Sequence, residues 1–135
     1  MIEERIHRRI DRSAAVLLAI FALGHAVPGT LMSNPFMDSD TMWSFSGSVA
    51  AWGIAAVNWL RVSRPGDRPL AAWALAGALT WIGLMAWLME AAGMWADPRP
   101  WLFVAVCAIL AAYSVRVLRL DPQALAGRSV GQQAR

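Results

Sequence analysis

Four long apolar runs are the dominant feature of this 135-residue sequence. A helix needs about 20 apolar residues to cross a bilayer, and each run is close to that length. Backbone polar groups cannot stay unpaired in hydrocarbon, so a run that lies in a membrane must be helical. The connectors are short, which makes consecutive helices antiparallel neighbours. The sequence therefore predicts an all-α fold, an integral membrane four-helix antiparallel bundle, with spans at about 13–32, 42–60, 70–89 and 101–118.

Composition supports a membrane protein with one domain. Hydrophobic residues make up 58% of the chain and charged residues 16%, whereas a soluble domain is about one quarter charged. The eight tryptophans suit a protein with many positions at the membrane–water boundary. The length allows a single domain over residues 1–120. The polar tail at 121–135 is expected to be disordered.

The positions of arginine predict the orientation. All 12 basic residues are arginines, and 11 of them flank the predicted spans on one side, with Arg99 alone on the other. Cytoplasmic loops collect arginine, so both termini are expected to be cytoplasmic in a multi-pass protein of the bacterial inner membrane. The arginines lie at helix ends, where they meet anionic lipid headgroups. The high isoelectric point therefore does not indicate nucleic-acid binding.

The N-terminal segment has an alternative interpretation as a signal peptide. An arginine-rich stretch precedes an apolar one, and Ala22 and Gly24 are small residues at a suitable cleavage point. The apolar run continues past that point to Met32, which favours an uncleaved first span.

The stretch "ALGHAVPGTL", residues 22–31, interrupts the first apolar run with a histidine and a proline. Pro28 cannot donate a hydrogen bond to the carbonyl of Gly24, so a helix that continues here is expected to kink beside His25 and open a small polar gap. In the alternative, the helix ends near Val27, as chains often do before proline. The kinked helix is favoured because residues 30–32 suit contact with lipid.

Small and hydroxyl residues recur at helical spacing in the last three spans, and they predict the inner faces of the bundle. Such residues allow close helix contact in membranes, whereas large apolar residues face lipid. The predicted inner faces are Ser44, Ser48, Ala51, Ala55 and Asn58 in the second span, Ala72, Ala76, Thr80, Gly83, Trp87 and Glu90 in the third, and Ala105, Ala108 and Ala112 in the fourth.

Polar residues within the spans are the candidates for a ligand site or a polar line through the interior: His25, Ser48, Thr80 and Glu90. Ionisable groups inside a membrane are costly and mark functional sites by default. His25 has two interpretations, a neutral imidazole that hydrogen-bonds Ser48 or Thr80 between helices, or a ligand-binding group. Glu90 is expected to be solvated at the outer end of its helix, where the acidic residues Asp38, Asp40 and Asp97 would attract cations.

Metal and enzyme chemistry receive little support. Met32, Met37 and Met89 are the weak candidates for a soft metal ion such as Cu(I), but their spacing is not that of a chelate and methionine is ordinary core filler. Haem ligation by two histidines would need a second buried histidine, and His7 is expected to be cytoplasmic. No nucleophile–base pair is apparent, so no catalytic residue and no cofactor are predicted.

Two motifs carry a resemblance to a known group. "LGHAVPGTL" and "WSFSGSVAAWG" resemble an uncharacterised group of small four-helix bacterial membrane proteins. In that group a Gly-His pair in the first helix precedes a Trp/Tyr-plus-Gly motif that opens the second. The matching positions are His25, Trp43, Phe45 and Gly47, within roughly the first 60 residues. The resemblance implies the fold and a membrane location, and no activity.

The size and topology are also similar to those of small multidrug-resistance exporters. Those proteins carry a membrane-embedded glutamate in the first helix, and this chain has no acidic residue between Asp11 and Asp38. The departure argues against proton-coupled export.

The sequence favours a small non-enzymatic inner-membrane protein that acts as an assembly or accessory subunit through its helix faces. Its expected partners are the lipid bilayer and either a second copy or a larger membrane complex. The alternative is a small transporter, or a protein that binds a cation or a hydrophobic molecule, using the polar gap at His25 and the acidic outer mouth.

Overall fold

The structure, a computed structural model, describes residues 2–31 and 39–119. Within these ranges the chain forms four α-helices and no strand. The helices are α1 (Ile2–Leu31), α2 (Ser39–Ser63), α3 (Arg68–Ala91) and α4 (Pro98–Arg119). This confirms the all-α prediction and the four helices; the tail at 121–135 lies outside the described residues.

α1 begins well before the predicted span, because residues 2–12 continue the helix. Glu3 and Glu4 lie in its first turn, where a carboxylate offsets the positive end of the helix dipole. They approach His7 and Arg8 at i,i+4 spacing, at 3.5 and 3.9 Å, a pairing that supports exposed helices. The charged flank is therefore one continuous helix with the first apolar run.

At its other end α1 continues through Pro28 to Leu31. The alternative in which the helix ends near Val27 is therefore wrong. The favoured interpretation, a helix that continues past Pro28 toward Met32, agrees with the structure in its extent. The kink and the polar gap beside His25 stay predictions.

Aspartates precede the two C-terminal helices. The Asp67 side chain caps α3 by accepting a hydrogen bond from the backbone N–H of Leu70 at 3.0 Å. Asp97, immediately before α4, accepts one from the backbone N–H of Arg99 at 2.9 Å. Gly93 follows α3 with a φ of 63°, a left-handed conformation that favours glycine.

Side-chain contacts show that neighbouring helices are antiparallel. Asp11 near the start of α1 contacts Arg61 near the end of α2, and the Ser44 hydroxyl donates to the carbonyl of His25 at the other end of the same pair. α1 packs on α2 and α4, and α3 packs on the same two helices. We call the end where α1 begins and α4 finishes the terminal end.

The core consists mainly of small side chains. Alanines from all four helices meet around Leu18, Cys107 and Leu110. Between α2 and α3, a Cβ on Gly77 would make an ordinary van der Waals contact with Ile54 at 3.4 Å. The buried alanines of the core cluster are Ala14, Ala15, Ala22, Ala51, Ala55, Ala78 and Ala111.

The predicted inner face of α2 agrees with the structure, whereas those of α3 and α4 are wrong. In α2, Ser48, Ala51, Ala55 and Asn58 are buried and Ser44 is half-buried. In α3 and α4 every residue of the predicted inner face is exposed. The residues that are buried instead are Ala71, Ala74, Ala78, Trp81, Met85 and Met89 in α3 and Pro100, Val106, Cys107, Leu110, Ala111 and Ser114 in α4.

Three helical segments are long and apolar enough to cross a membrane: Glu3–Val27, Arg68–Ala91 and Pro98–Arg119. The sequence predicted four spans. α2 is the exception because serines and Asn58 interrupt its apolar residues.

Candidate functional site

A buried ion pair between α1 and α2 is the most polar feature of the interior. The Arg61 Nη2 atom donates to Asp11 Oδ1 at 2.5 Å, and the two residues are only 2% and 6% exposed. Asn58 joins them, because its Oδ1 accepts from Arg61 Nη2 at 3.2 Å and from Nε at 3.4 Å. The Asn58 amide in turn donates to the carbonyl of Ile54 at 2.9 Å. We call Asp11, Asn58 and Arg61 the polar triad.

The sequence explains the triad once α1 is known to extend to Ile2. Asn58 and Arg61 are three residues apart, so they share a face of α2. Asp11 lies just before the first apolar run, next to Arg12. In an antiparallel pair the start of this run lies beside the end of α2, so Asp11 is at the same level as Arg61. The sequence does not reveal the triad, because Asp11 and Arg61 look like ordinary charges that flank apolar runs. Only Asn58 lies on the predicted inner face of α2.

The triad is suited to holding α1 and α2 in register. Both charges are neutralised within the pair, and the guanidinium is held by two acceptor residues in a fixed geometry. Charged residues buried in a protein are paired and hydrogen-bonded, as these are. The triad carries no reactive nucleophile, so its chemistry is electrostatic.

A second polar contact joins α1 to α4 at the terminal end. His7 Nδ1 lies 3.2 Å from the Tyr113 hydroxyl, and the two rings meet edge to face with centroids 5.9 Å apart. The contact ties the charged start of α1 to the last turns of α4.

His25 lies on the surface of the bundle. Its side chain is exposed, and its ring meets that of Phe103 edge to face at 6.4 Å. Its backbone carbonyl accepts from the Ser44 hydroxyl at 3.2 Å. His25 thus lies between α1 and α4, with its ring exposed on one side and against Phe103 on the other.

The four predicted polar candidates are not brought together. The buried Ser48 hydroxyl donates to the carbonyl of Ser44 on its own helix at 2.9 Å. Thr80 is exposed on α3. Glu90 is also exposed, and its carboxylate accepts a hydrogen bond from the indole of Trp95 at 3.0 Å.

The predicted acidic mouth is described only in part. Asp38 lies outside the described residues, and Asp97 forms an ion pair with Arg99 at 2.5 Å. Hydrogen bonds from the Arg99 side chain lower the pKa of the Asp97 carboxyl from its ordinary value. The one arginine predicted on this side therefore offsets one of its acids.

Of the weak metal candidates, Met32 and Met37 lie outside the described residues. Met89 is buried in the bundle. Within residues 2–31 and 39–119, no group of three or more histidine, cysteine, aspartate or glutamate residues could hold a metal ion.

An aromatic cluster occupies the interior away from the terminal end. The Phe103 ring lies 5.7 Å from that of Phe21 and 6.3 Å from that of Trp81. The Trp81 indole N–H is buried and has no acceptor among the described residues, an arrangement that costs about 1–3 kcal/mol. Sequence reasoning had no signal for this cluster, because its members come from three helices.

No protein-family model, curated protein or solved structure matches this chain. The resemblance to a group of small four-helix membrane proteins, at His25, Trp43, Phe45 and Gly47, stays a prediction.

Proposed function

We propose that this protein is a small, non-enzymatic subunit of the bacterial inner membrane that assembles with other membrane helices, in the first place with a second copy of itself. The observation that carries the proposal is that small residues line the outward faces of α3 and α4. We call these residues the outer small-residue faces: Ala72, Ala76, Thr80 and Gly83 on α3, and Ala105, Ala108 and Ala112 on α4.

The face on α3 lies opposite the buried side of the helix. Ala76 and Thr80 are each two residues from the buried Ala78, which places them about 200° around a helix of 3.6 residues per turn. Membrane helices concentrate small residues where another helix approaches closely. A face that only met lipid would gain more contact from leucine or phenylalanine.

The face on α4 supports the same interpretation. Ala105 and Ala112 are seven residues apart and lie opposite the buried core positions of α4. α3 and α4 are neighbours, so the two faces lie on adjacent helices. Together they offer two sites where a second helix could pack at short distance.

Membrane insertion of all four helices is part of the proposal. α2 contains 25 residues and packs between α1 and α3. Its low hydropathy comes largely from inward residues such as Ser48 and Asn58, which are hydrogen-bonded inside the bundle. Its exposed side includes Phe45, Val49 and Trp59, a surface suited to lipid.

The alternative, a transporter with a polar gap at His25, receives less support. His25, Thr80 and Glu90 are exposed rather than grouped in the interior. The described polar groups of the interior are already paired, apart from the Trp81 indole N–H.

The proposal is tested by measuring self-association in lipid vesicles. Protein labelled with donor or acceptor dyes should show energy transfer that rises with the protein-to-lipid ratio. Ala76→Leu and Ala108→Leu should each weaken association about tenfold, since disrupting a close helix contact costs about 1–3 kcal/mol. Ala50→Leu is the matched control, because Ala50 is an exposed small residue on α2.

The proposal would be contradicted if the wild-type protein stays monomeric in vesicles and also migrates without a partner after native membranes are solubilised. An equal effect of Ala50→Leu would show that added bulk, rather than the outer small-residue faces, controls association.

A further inference from the structure

Arg12 and Trp59 form an exposed pair at the groove between α1 and α2. The guanidinium carbon of Arg12 lies over the Trp59 ring, 5.2 Å from its centroid, and both side chains are exposed. Among the side chains of residues 3–27 and 42–119, the arginines in ion pairs are Arg8, Arg61 and Arg99. Arg12 therefore keeps its charge without a carboxylate partner in that part of the chain.

The pair lies at the depth of lipid headgroups in the membrane arrangement proposed above. Arg12 immediately precedes the first apolar run, and Trp59 lies at the end of the second. Tryptophan is enriched at this level because its ring is amphipathic. Arg9 lies one turn before Arg12 on α1, while the neighbouring carboxylate of Asp11 is engaged inside the polar triad. The local charge is thus positive.

An apolar track leads from the pair toward the middle of the bilayer. Phe45, Trp52 and Trp59 are spaced seven residues apart, so they follow one side of α2. The Trp52 indole donates to the carbonyl of Ala19 at 3.0 Å, which holds this side of α2 against α1. Val16, one turn beyond Arg12, is exposed on the α1 side.

We propose that this groove binds a phospholipid with an anionic headgroup, the Arg12 guanidinium holding the phosphate and the acyl chain lying along Trp52 and Val16. A guanidinium presents a planar fork of donors that matches phosphate, and it retains edge donors when its face stacks on an aromatic ring. Anionic lipids are drawn to such positive sites at the membrane surface. The site lies on α1 and α2, so it is independent of the outer small-residue faces.

The test measures lipid retention by the full-length protein in detergent, using native mass spectrometry. Phosphatidylglycerol and phosphatidylcholine with identical acyl chains are the two lipids compared. Arg12→Gln should lower phosphatidylglycerol retention about fivefold, the effect of one arginine near an anionic surface. Arg119→Gln is the matched control, since Arg119 is an exposed arginine at the terminal end on α4, and it should leave retention unchanged.

Two further variants keep the test independent of folding defects. Arg12→Lys retains the charge but not the fork and should give a smaller loss than Arg12→Gln. Trp59→Leu should lower retention while leaving all arginines in place. Each variant is compared with the wild type by circular dichroism and thermal melting.

Several outcomes would overturn the proposal. Equal losses for Arg12→Gln and Arg119→Gln would indicate nonspecific attraction to a basic end. Equal retention of phosphatidylcholine would remove the role of headgroup charge. Displacement of the lipid by millimolar inorganic phosphate would assign the site to a free anion instead of a membrane lipid.

Discussion

At the scale of single residues, the stability of the polar triad depends on two opposing free energies, the cost of desolvating its charges and their mutual attraction. Removing Asp11 and Arg61 from water is costly, and the mutual attraction of the charges offsets that cost only with good geometry. The short ion pair and the two hydrogen bonds from Arg61 to Asn58 provide that geometry. Loss of either charge would leave the other buried without a partner.

Asp11→Leu and Arg61→Leu should therefore each lower the free energy of unfolding by about 3–5 kcal/mol. The double variant should be closer to the wild type than either single variant, since it leaves no unpaired buried charge. Arg64→Leu is the control; Arg64 is exposed, and its loss should change stability by less than about 0.5 kcal/mol. The measurement is reversible unfolding in mixed micelles.

A double variant that loses as much as the two single variants combined would contradict the pairing. The two side chains would then act independently, and the triad would not be the contact that sets the register of α1 and α2.

The residues of the candidate site differ in how far the sequence reveals them. His25 stands out because an imidazole in an apolar run is unusual, yet the sequence gives its depth and not the direction in which it points. Asp11 and Arg61, in contrast, do not stand out in the sequence. Each looks like an ordinary flanking charge, and only the packing of two helices brings them together.

At the scale of helices, the distribution of side-chain size decides which inner faces can be predicted. α2 has small and hydroxyl residues on one side and large ones such as Phe45 and Trp59 on the other, so its faces are distinguishable. α3 has small residues on both sides. Its buried side also contains Trp81 and Met85, which fill the space that the alanines of the other helices leave.

Ala78 and Ala76 of α3 provide a matched comparison of its two faces. Ala78 is fully buried and Ala76 is exposed. Ala78→Leu should lower the free energy of unfolding by about 1–3 kcal/mol through overpacking. Ala76→Leu should leave the stability of the single chain nearly unchanged in detergent melts, since its added bulk points away from the core.

Equal destabilisation by the two substitutions, at a protein concentration where the chain is monomeric, would mean that the assignment of buried and exposed sides of α3 is wrong. A loss for Ala76→Leu that appears only at high protein concentration would instead agree with the proposed self-association.

At the scale of the whole molecule, folding collects the described arginines, with the exception of Arg99, at one end. The starts of α1 and α3 and the ends of α2 and α4 meet at the terminal end, because neighbouring helices are antiparallel. This asymmetry could be predicted from the sequence, since it needs only the order of the helices and no knowledge of which way any side chain points. The exposed arginines at the terminal end are Arg5, Arg8, Arg9, Arg12, Arg64, Arg68, Arg116 and Arg119.

The distribution predicts that both termini are cytoplasmic and that α2 crosses the membrane with the other helices. Single cysteines can test both statements, because Cys107 is the only native cysteine and is fully buried. In intact cells, a membrane-impermeant maleimide should label Asn34→Cys and Ala96→Cys in the two outer connectors. Pro65→Cys and Gln133→Cys should react only after the membrane is permeabilised.

The comparison between positions 34 and 65 isolates α2, the one helix whose hydropathy falls below that of a typical span. If α2 crosses, the connectors before and after it lie on opposite sides and label differently. If α2 lies along the surface, the two positions share a side and label alike, and the four-span arrangement is wrong. Labelling of Pro65→Cys and Gln133→Cys in intact cells, with Asn34→Cys protected, would show the opposite orientation and contradict the argument from arginine. The wild-type protein is labelled in parallel as a control, because any labelling of it must come from Cys107.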